Sequence, residues 1–357
     1  MADHVRQGTG QDQSDLFRGS GSDLVVPKDA RTTRGTPAPT IPAFVLGEEL
    51  AEIADRDPRI VVLTADLASA NRTIEFKARH PDRFFDFGIA EKNMITAAAG
   101  MAAAGQVPYA ATFAAFAAIL GAEQIRTDCA YPAVPVRVVG HHSGISMGFY
   151  GSSHHAIEDL GMMRTIPGLT VVAAADANAL RAILRASVDH QGAMYIRLGR
   201  GRDPEVYPEV PAPFGFGRAI TLRDGRDLTI IATGSTVRAS LDAALQLARE
   251  GRAVRVVDMH TIKPLDLEAV RAAAAETRAI LTVEEHNVIG GLGSAVAEVL
   301  VECPRIPFRR HGIADQFSII GPPAALYAHY RLDAAGIAEV ARELLDGERT
   351  RATAAPD

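Results

Sequence analysis

The stretch Glu91–Gly140 reads EKNMITAAAGMAAAGQVPYAATFAAFAAILGAEQIRTDCAYPAVPVRVVG, and its hydrophobic period changes three times. Glu91–Gly105 has apolar residues at helical spacing, and Val107–Thr112 is a short apolar run behind a glycine. Phe113–Ala130 is helical again, and Val136–Gly140 is a run rich in β-branched residues. Short, wholly apolar strands alternating with helices predict a parallel sheet covered on both faces. The rhythm extends outward. Helical spacing over Phe44–Arg56 precedes a strand at Arg59–Ala65. Strands at Leu169–Ala173 and Met194–Leu198 enclose a helix at Ala177–Asp189. Residues 41–199 therefore read as one α/β domain.

Residues 200–225 hold Pro204, Pro208, Pro211 and Pro213 among several glycines, the composition of a linker. A second, smaller α/β series follows over 226–348. Its expected strands are Leu228–Ala232, Val254–Asp258, Ala279–Val283 and Ile306–Arg309. Its helices fall near Val237–Glu250, Leu267–Ala275, Ser294–Glu302 and Ala334–Leu345. Residues 1–40 are polar and glycine-rich with no apolar period, which predicts a disordered tail.

A net charge of −6 on 357 residues argues against nucleic acid as the main partner. Cys129 and Cys303 have no metal-ligand spacing and give no disulfide framework, which fits a reducing cytoplasm. The most membrane-like stretch, Ile95–Ala122, is alanine-rich and broken by Gln106, Pro108 and two threonines. It reads as buried core, so no membrane is expected.

Several residues carry candidate chemistry. Glu91 opens a helix, where a carboxylate also simply complements the helix dipole. Phe113 and Phe116 are expected on one face of the next helix, a spacing equally suited to core packing. Asp66 ends the first strand, where crevices form in open α/β sheets and where helix N-caps also fall. The segment His141–His155 holds four histidines among small residues, with His142 and His154 twelve positions apart. No carboxylate or thiol pairs with them at metal spacing, so no metal site is expected within this chain. Arg197 and Arg200 close the last strand of the first domain. Gly290–Ser294 is a glycine-rich helix start, better suited to tight packing than to anion binding. The cluster Glu284-Glu285-His286 is expected at a partner interface.

Six segments, in order, give these residues a family context. They are LTADLA (Leu63–Ala68), FGIAEKNM (Phe87–Met94), TFAAF (Thr112–Phe116), SSHHAIEDLGMMRTIPG (Ser152–Gly168), YIRLGRG (Tyr195–Gly201) and VEEHNVIGGLGSAVAE (Val283–Glu298). Over residues 41–347 the sequence resembles the C-terminal section of the transketolase family. The fold this implies is a parallel-sheet thiamine-diphosphate pyrimidine-binding domain followed by the smaller transketolase C-terminal α/β domain.

By that resemblance, Glu91 bonds N1′ of the cofactor's aminopyrimidine and promotes loss of the thiazolium C2 proton. Phe113 and Phe116 grip the pyrimidine, and Asp66 sits near the cofactor. His142 and His154 face the sugar, bonding its hydroxyls or phosphate and moving protons near neutral pH. Arg200 holds a sugar phosphate.

The sequence departs from the family pattern at three places. Ile119 stands where a third aromatic is common, Phe149-Tyr150 where Glu-Asp is usual, and Ala70 where a phosphate-holding serine is usual, with Arg72 nearby. Tyr150 therefore joins the expected substrate contacts and is expected to alter sugar preference. The family's Gly-Asp-Gly segment for diphosphate and Mg²⁺ does not occur in this sequence. The resemblance thus implies a transketolase-type transferase completed by a separate diphosphate-binding, N-terminal-half subunit as a heterotetramer. Two rivals stay open: an E1 β-type subunit of a 2-oxo acid dehydrogenase, and a non-catalytic regulatory partner.

Overall fold

A computed structural model describes residues 42–200 and 203–353, and the tail expected over 1–40 lies outside them. The chain opens with α1 (Pro42–Ala54), β1 (Ile60–Thr64), α2 (Ile74–Arg79), β2 (Phe84–Asp86), α3 (Glu91–Ala103) and β3 (Val107–Phe113). Then come α4 (Ala122–Gln124), flanked by π-helical turns at Phe116–Leu120 and Ile125–Ala130, and β4 (Arg137–His141). A 3-10 turn at Gly148–Ser153 leads to α5 (Asp159–Thr165), β5 (Thr170–Ala173), α6 (Ala177–Ser187) and β6 (Met194–Arg197). The remainder is β7 (Ile220–Arg223), β8 (Leu228–Ala232), α7 (Thr236–Arg249), β9 (Val254–Asp258), β10 (Thr261–Lys263) and α8 (Leu267–Glu276), then β11 (Ile280–Asn287), α9 (Leu292–Leu300), β12 (Phe308–Ile313), α10 (Pro323–His329) and α11 (Ala334–Thr353).

Two sheets result. The first runs β10-β5-β6-β4-β3-β1-β2 and the second β12-β11-β8-β9-β7. Both are mainly parallel, and every residue of β1, β3, β4, β5 and β6 is buried, as expected for strands with helices on both faces. One apolar core runs from Val61, Met94 and Val138 of the first sheet's layers to Ile231, Leu292 and Val296 of the second's. The architecture is the α/β fold that the alternating periods predict.

The structure corrects several boundaries. Ile220–Arg223, inside the stretch expected to be linker, is edge strand β7 and pairs antiparallel with β9. Strand β10 comes from the second half of the chain yet pairs antiparallel with β5 of the first sheet. Lys263 Nζ fastens it by donating to the carbonyls of Arg164 (3.0 Å) and Ile166. The last strand starts at Phe308 rather than Ile306, beyond Pro307, which has no N–H to give a ladder. Phe113 is not on a helix: it ends β3, paired with His141 of β4, and only from Phe116 does the chain wind into a π-helical turn.

Candidate active site

Strand β1 has β2 on one side and β3 on the other, so the chain reverses its direction across the sheet at this point. In open parallel sheets the crevice beyond the carboxyl ends of the strands at such a reversal is where ligands bind. The registers put Thr64 beside Ala111 and Asp86, Phe113 beside His141, and Gly140 beside Arg197. One edge of the sheet therefore carries the ends of β2, β1, β3, β4 and β6. Asp66, Glu91, Phe113, His142 and Arg200 all lie at that edge or within a few residues of it.

At the ends of β3 and β4 the rings meet. Phe113 lies 5.7 Å from Phe116, 4.6 Å from His142 and 6.1 Å from His154 between centroids. His154 is also 5.3 Å from Phe116 and 5.0 Å from Tyr150. Phe113 is buried, Phe116 and His154 are half-buried, and Tyr150 is 58% exposed. The group thus has a greasy floor and an open, polar-edged mouth.

His142 takes φ +57°, and Asp66 takes +58°. A non-glycine residue in this left-handed region costs on the order of 1–2 kcal/mol, and such residues cluster where function fixes the backbone. Asp66 is exposed, and its N–H donates to Asp86 Oδ1 at 2.9 Å. The same oxygen accepts from the Gly88 N–H at 3.1 Å. Asp86 shapes the turn into α3 and was not singled out from sequence, although it immediately precedes the FGIAEKNM segment.

Burial lowers His142 to about 3, and the positive charge of Arg200 pushes the same way. This favours the neutral imidazole, which suits the hydrogen-bonding role that the resemblance implies more than the proton-moving one. His141, also missed from sequence, is wholly buried, bonds His142 through their Nδ1 atoms, and has no partner at Nε2. Burial, then the neighbouring His142, hold it well below the ordinary histidine value.

Glu91 is the first residue of α3 and only 7% exposed. Ala90, the capping residue before it, has no side-chain cap to offer the helix N-terminus. Among the described residues no hydrogen bond or ion pair reaches the Glu91 carboxylate. Neither Glu91 nor Asp66 contacts the ring group through a hydrogen bond, ion pair or ring stack among the described residues. A carboxylate with no internal partner on a mostly buried residue, at the sheet edge that also carries two phenylalanine rings, fits an aminopyrimidine that bonds through N1′ and packs through its face. No group of three or more His, Cys, Asp or Glu that could hold a metal ion occurs among the described residues.

The second sheet contributes support. Glu284, Glu285 and His286 are at most 1% exposed. They face the junction of the two sheets, not a partner surface. The helix start at Gly290–Ser294 is filled by the chain itself: Glu284 accepts from the N–H groups of Leu292 (2.7 Å) and Gly293 (2.8 Å). Its anion position is thus taken by an internal carboxylate.

Residues 43–204 match the family described as transketolase, pyrimidine binding domain, and residues 217–337 match transketolase, C-terminal domain. The chain belongs to the transketolase family. It is 41% identical to the 6-deoxy-6-sulfo-D-fructose transketolase subunit SqwH of Clostridium sp., over 85% of this chain and 94% of that protein. It is 39% identical to a subunit of the apulose-4-phosphate transketolase of Phocaeicola vulgatus, over 84% of this chain and 95% of that one. A solved structure described as a split-gene transketolase, inactive β4 tetramer, superposes with a TM-score of 0.80 at 42% identity. That match covers 86% of this chain and 99% of the other. The pyrimidine-binding domain places this transketolase chain in a thiamine-diphosphate-dependent family, and both relatives are named as transketolase subunits. No described helix is long and apolar enough to cross a membrane.

Proposed function

We propose that this chain is the pyrimidine-binding half of a transketolase that transfers a two-carbon ketol unit from a ketose or ketose phosphate to an aldose. It acts with a diphosphate-binding subunit, two copies of each. The observation that carries this reading is the group formed by Phe113, Phe116, His142, His154 and Tyr150 at the reversal point of the first sheet. Bound thiamine diphosphate supplies the carbon nucleophile and the electron sink. Glu91, whose carboxylate has no competing partner within the chain, holds a proton against N1′ of the aminopyrimidine. Phe113 and Phe116 exclude water from the pyrimidine face, and Asp66 borders the cofactor. His142, being neutral, donates and accepts hydrogen bonds with sugar oxygens. His154, the other histidine beside Phe113, contacts the sugar as well.

Arg200 is exposed three residues beyond β6 and holds the anionic end of the substrate. Two relatives support this, since their names specify a sulfonated and a phosphorylated sugar. Tyr150 replaces the usual acid with a neutral ring and shifts preference away from the standard hydroxyl pattern. Mg²⁺ and the diphosphate are held by the partner subunit. Around the site Ile89 (84%), Ile119 (53%) and Phe149 (57%) are exposed. Apolar residues crowding a half-site support cover by another subunit. Both cysteines are free, in keeping with a reducing, cytoplasmic setting.

The test is reconstitution with candidate diphosphate-binding subunits, followed by assays of ketol transfer and of 2-oxo acid decarboxylation. Ketol transfer is expected, falling at least ~100-fold in Glu91→Gln. Decarboxylation without transfer moves the chain to the 2-oxo acid dehydrogenases. Unchanged activity in Glu91→Gln removes the mechanism.

A further inference from the structure

The segment carrying His142 and His154 is tied to the end of β6 by the Ser143 N–H, which donates to Leu198 O at 3.1 Å, and to the stretch after β12 by His155, which bonds Ser318 Oγ. Its stem is a single antiparallel bridge: Gly144 N–H donates to Ala156 O at 3.0 Å, and Ala156 N–H to Gly144 O at 2.9 Å. A carboxylate from β11 of the other sheet meets this stem directly. Glu285 Oε1 accepts the Ile145 N–H at 2.8 Å. A Cβ on Gly144, which sits at φ +61°, would stand 2.1 Å from Glu285 Cδ, so the loop backbone lies directly on the carboxylate. The carboxylate is itself held: Tyr327 OH donates to Oε1 at 2.6 Å and Ser235 Oγ donates to Oε2. Arg197 completes the joint by donating to the carbonyls of Glu285 (2.9 Å) and Ala156 (3.1 Å), and its Nε bonds Asp159 at 2.8 Å.

We propose that Glu285 is a positioning residue: its carboxylate fixes the stem of loop 142–155 and so sets His142 and His154 against Phe113 and Phe116. The second sheet thereby orients site residues that belong to the first. The substrate-facing role of the two histidines rests on the transketolase reading above, whereas their positioning does not. The geometry is specific. A buried carboxylate serving only to fill the junction needs no backbone N–H from the histidine loop, and the loop needs no glycine pressed upon it. With Glu285 truncated, Ile145 N–H, Tyr327 OH and Ser235 Oγ all lose their acceptor at once. Ile145 lies three residues from His142, so the ring moves with the stem.

The experiment compares Glu285→Ala, Glu285→Gln and Tyr327→Phe in the full chain by hydrogen–deuterium exchange and by NMR of 13C-labelled histidine rings. In Glu285→Ala, exchange over 141–157 is expected to rise about tenfold, with segments from β1 and β3 unchanged. The His142 and His154 ring signals shift. Glu285→Gln keeps an acceptor oxygen and restores most of the protection. In the reconstituted enzyme, KM for the sugar rises about tenfold while cofactor affinity stays within about twofold. A folded Glu285→Ala chain with unchanged exchange over 141–157, or with a uniform rise over both sheets, overturns the proposal. If that variant does not fold, Tyr327→Phe decides: a rise confined to 141–157, with Glu285→Gln close to wild type, supports positioning, and no rise in Tyr327→Phe refutes it. Exchange needs neither partner nor substrate. Localised loosening without ketol transfer on reconstitution therefore sinks the functional reading and leaves the positioning intact.

Discussion

Asp258 gives the sharpest prediction about stability. It ends β9, is fully buried, and accepts from Tyr207 OH at 2.7 Å through Oδ2, while Oδ1 has no partner. Burial pushes its carboxyl from 3.8 up to about 7; the Tyr207 bond opposes this and the Asp176 charge adds to it. Below pH 3.8 the group is neutral in both folded and unfolded chains. Between there and about 7 the unfolded chain releases the proton and the folded chain keeps it, so stability falls as pH rises. Above about 7 the loss is complete and constant. Each pH unit in the window is about 1.4 kcal/mol, so pH 5 to 8 covers two effective units, about 3 kcal/mol. Asparagine cannot ionise, and its carbonyl still accepts from Tyr207. Asp258→Asn adds a fixed offset for its unpartnered amide, about 1–3 kcal/mol, but no slope from this site. The stability difference between variant and wild type is therefore expected to move about 3 kcal/mol in the variant's favour from pH 5 to pH 8. Urea denaturation at both pH values measures it, and other titrating groups cancel in the comparison. Parallel pH profiles for the two proteins would refute the claim that this carboxyl is buried protonated.

Asp159→Ala strands Arg197, 2% exposed, without its carboxylate, and chemical denaturation should show a loss of about 3–5 kcal/mol, partly recovered by adding Arg197→Met. Phe113→Ala, at a buried ring, is expected to cost about 3 kcal/mol, and Phe116→Ala less because that ring is half-buried; equal losses would contradict the assigned floor and mouth. Tyr150→Asp restores an acid at the mouth and is expected to shift relative kcat/KM by about tenfold toward donors with a free hydroxyl there. Unchanged ratios across a donor panel would remove Tyr150 from the substrate contacts.

The fold was legible because its strands are buried on both faces and its helices are long enough to show their period. RIVVLTA and VRVVG read as strands without context, and α6 and α7 read as helices from spacing alone. The misses have physical causes. Strand β2 has three residues and β10 three, too few to show any period, and β10 is a strand only because β5 offers it a partner. The residues Phe113–Phe116 read as helix because alanine favours it, yet Phe113 is drawn into β3 by its ladder with His141. At the site, residue types that do chemistry were visible, and so were Glu91, the ring pair and the histidines. The residues that support them were not. Asp86 and Asp159 look like ordinary polar residues until the fold brings them to their partners, and Glu285, expected at a partner interface, is instead buried at the junction of the sheets.

The segment VEEHNVIGGLG shows why a motif and its role separate. Its glycine-rich turn and acidic pair would suit anion binding or an exposed interface. The fold turns consecutive residues of β11 to opposite sides, as any strand must. Glu284 then points at the start of α9 and satisfies two of its N–H groups, while Glu285 points at the histidine loop. His286 accepts the Gly161 N–H of α5 at 3.2 Å through Nε2. Three adjacent residues thus bind three separate elements, two of them in the other sheet's domain. Burying two carboxylates side by side is costly unless each is matched by donors, and here each is. Such matching is hard to replace piecemeal, because any single loss leaves a buried charge or a buried donor without a partner. This joint ties a domain that contributes no site residue of its own to the geometry of one that does.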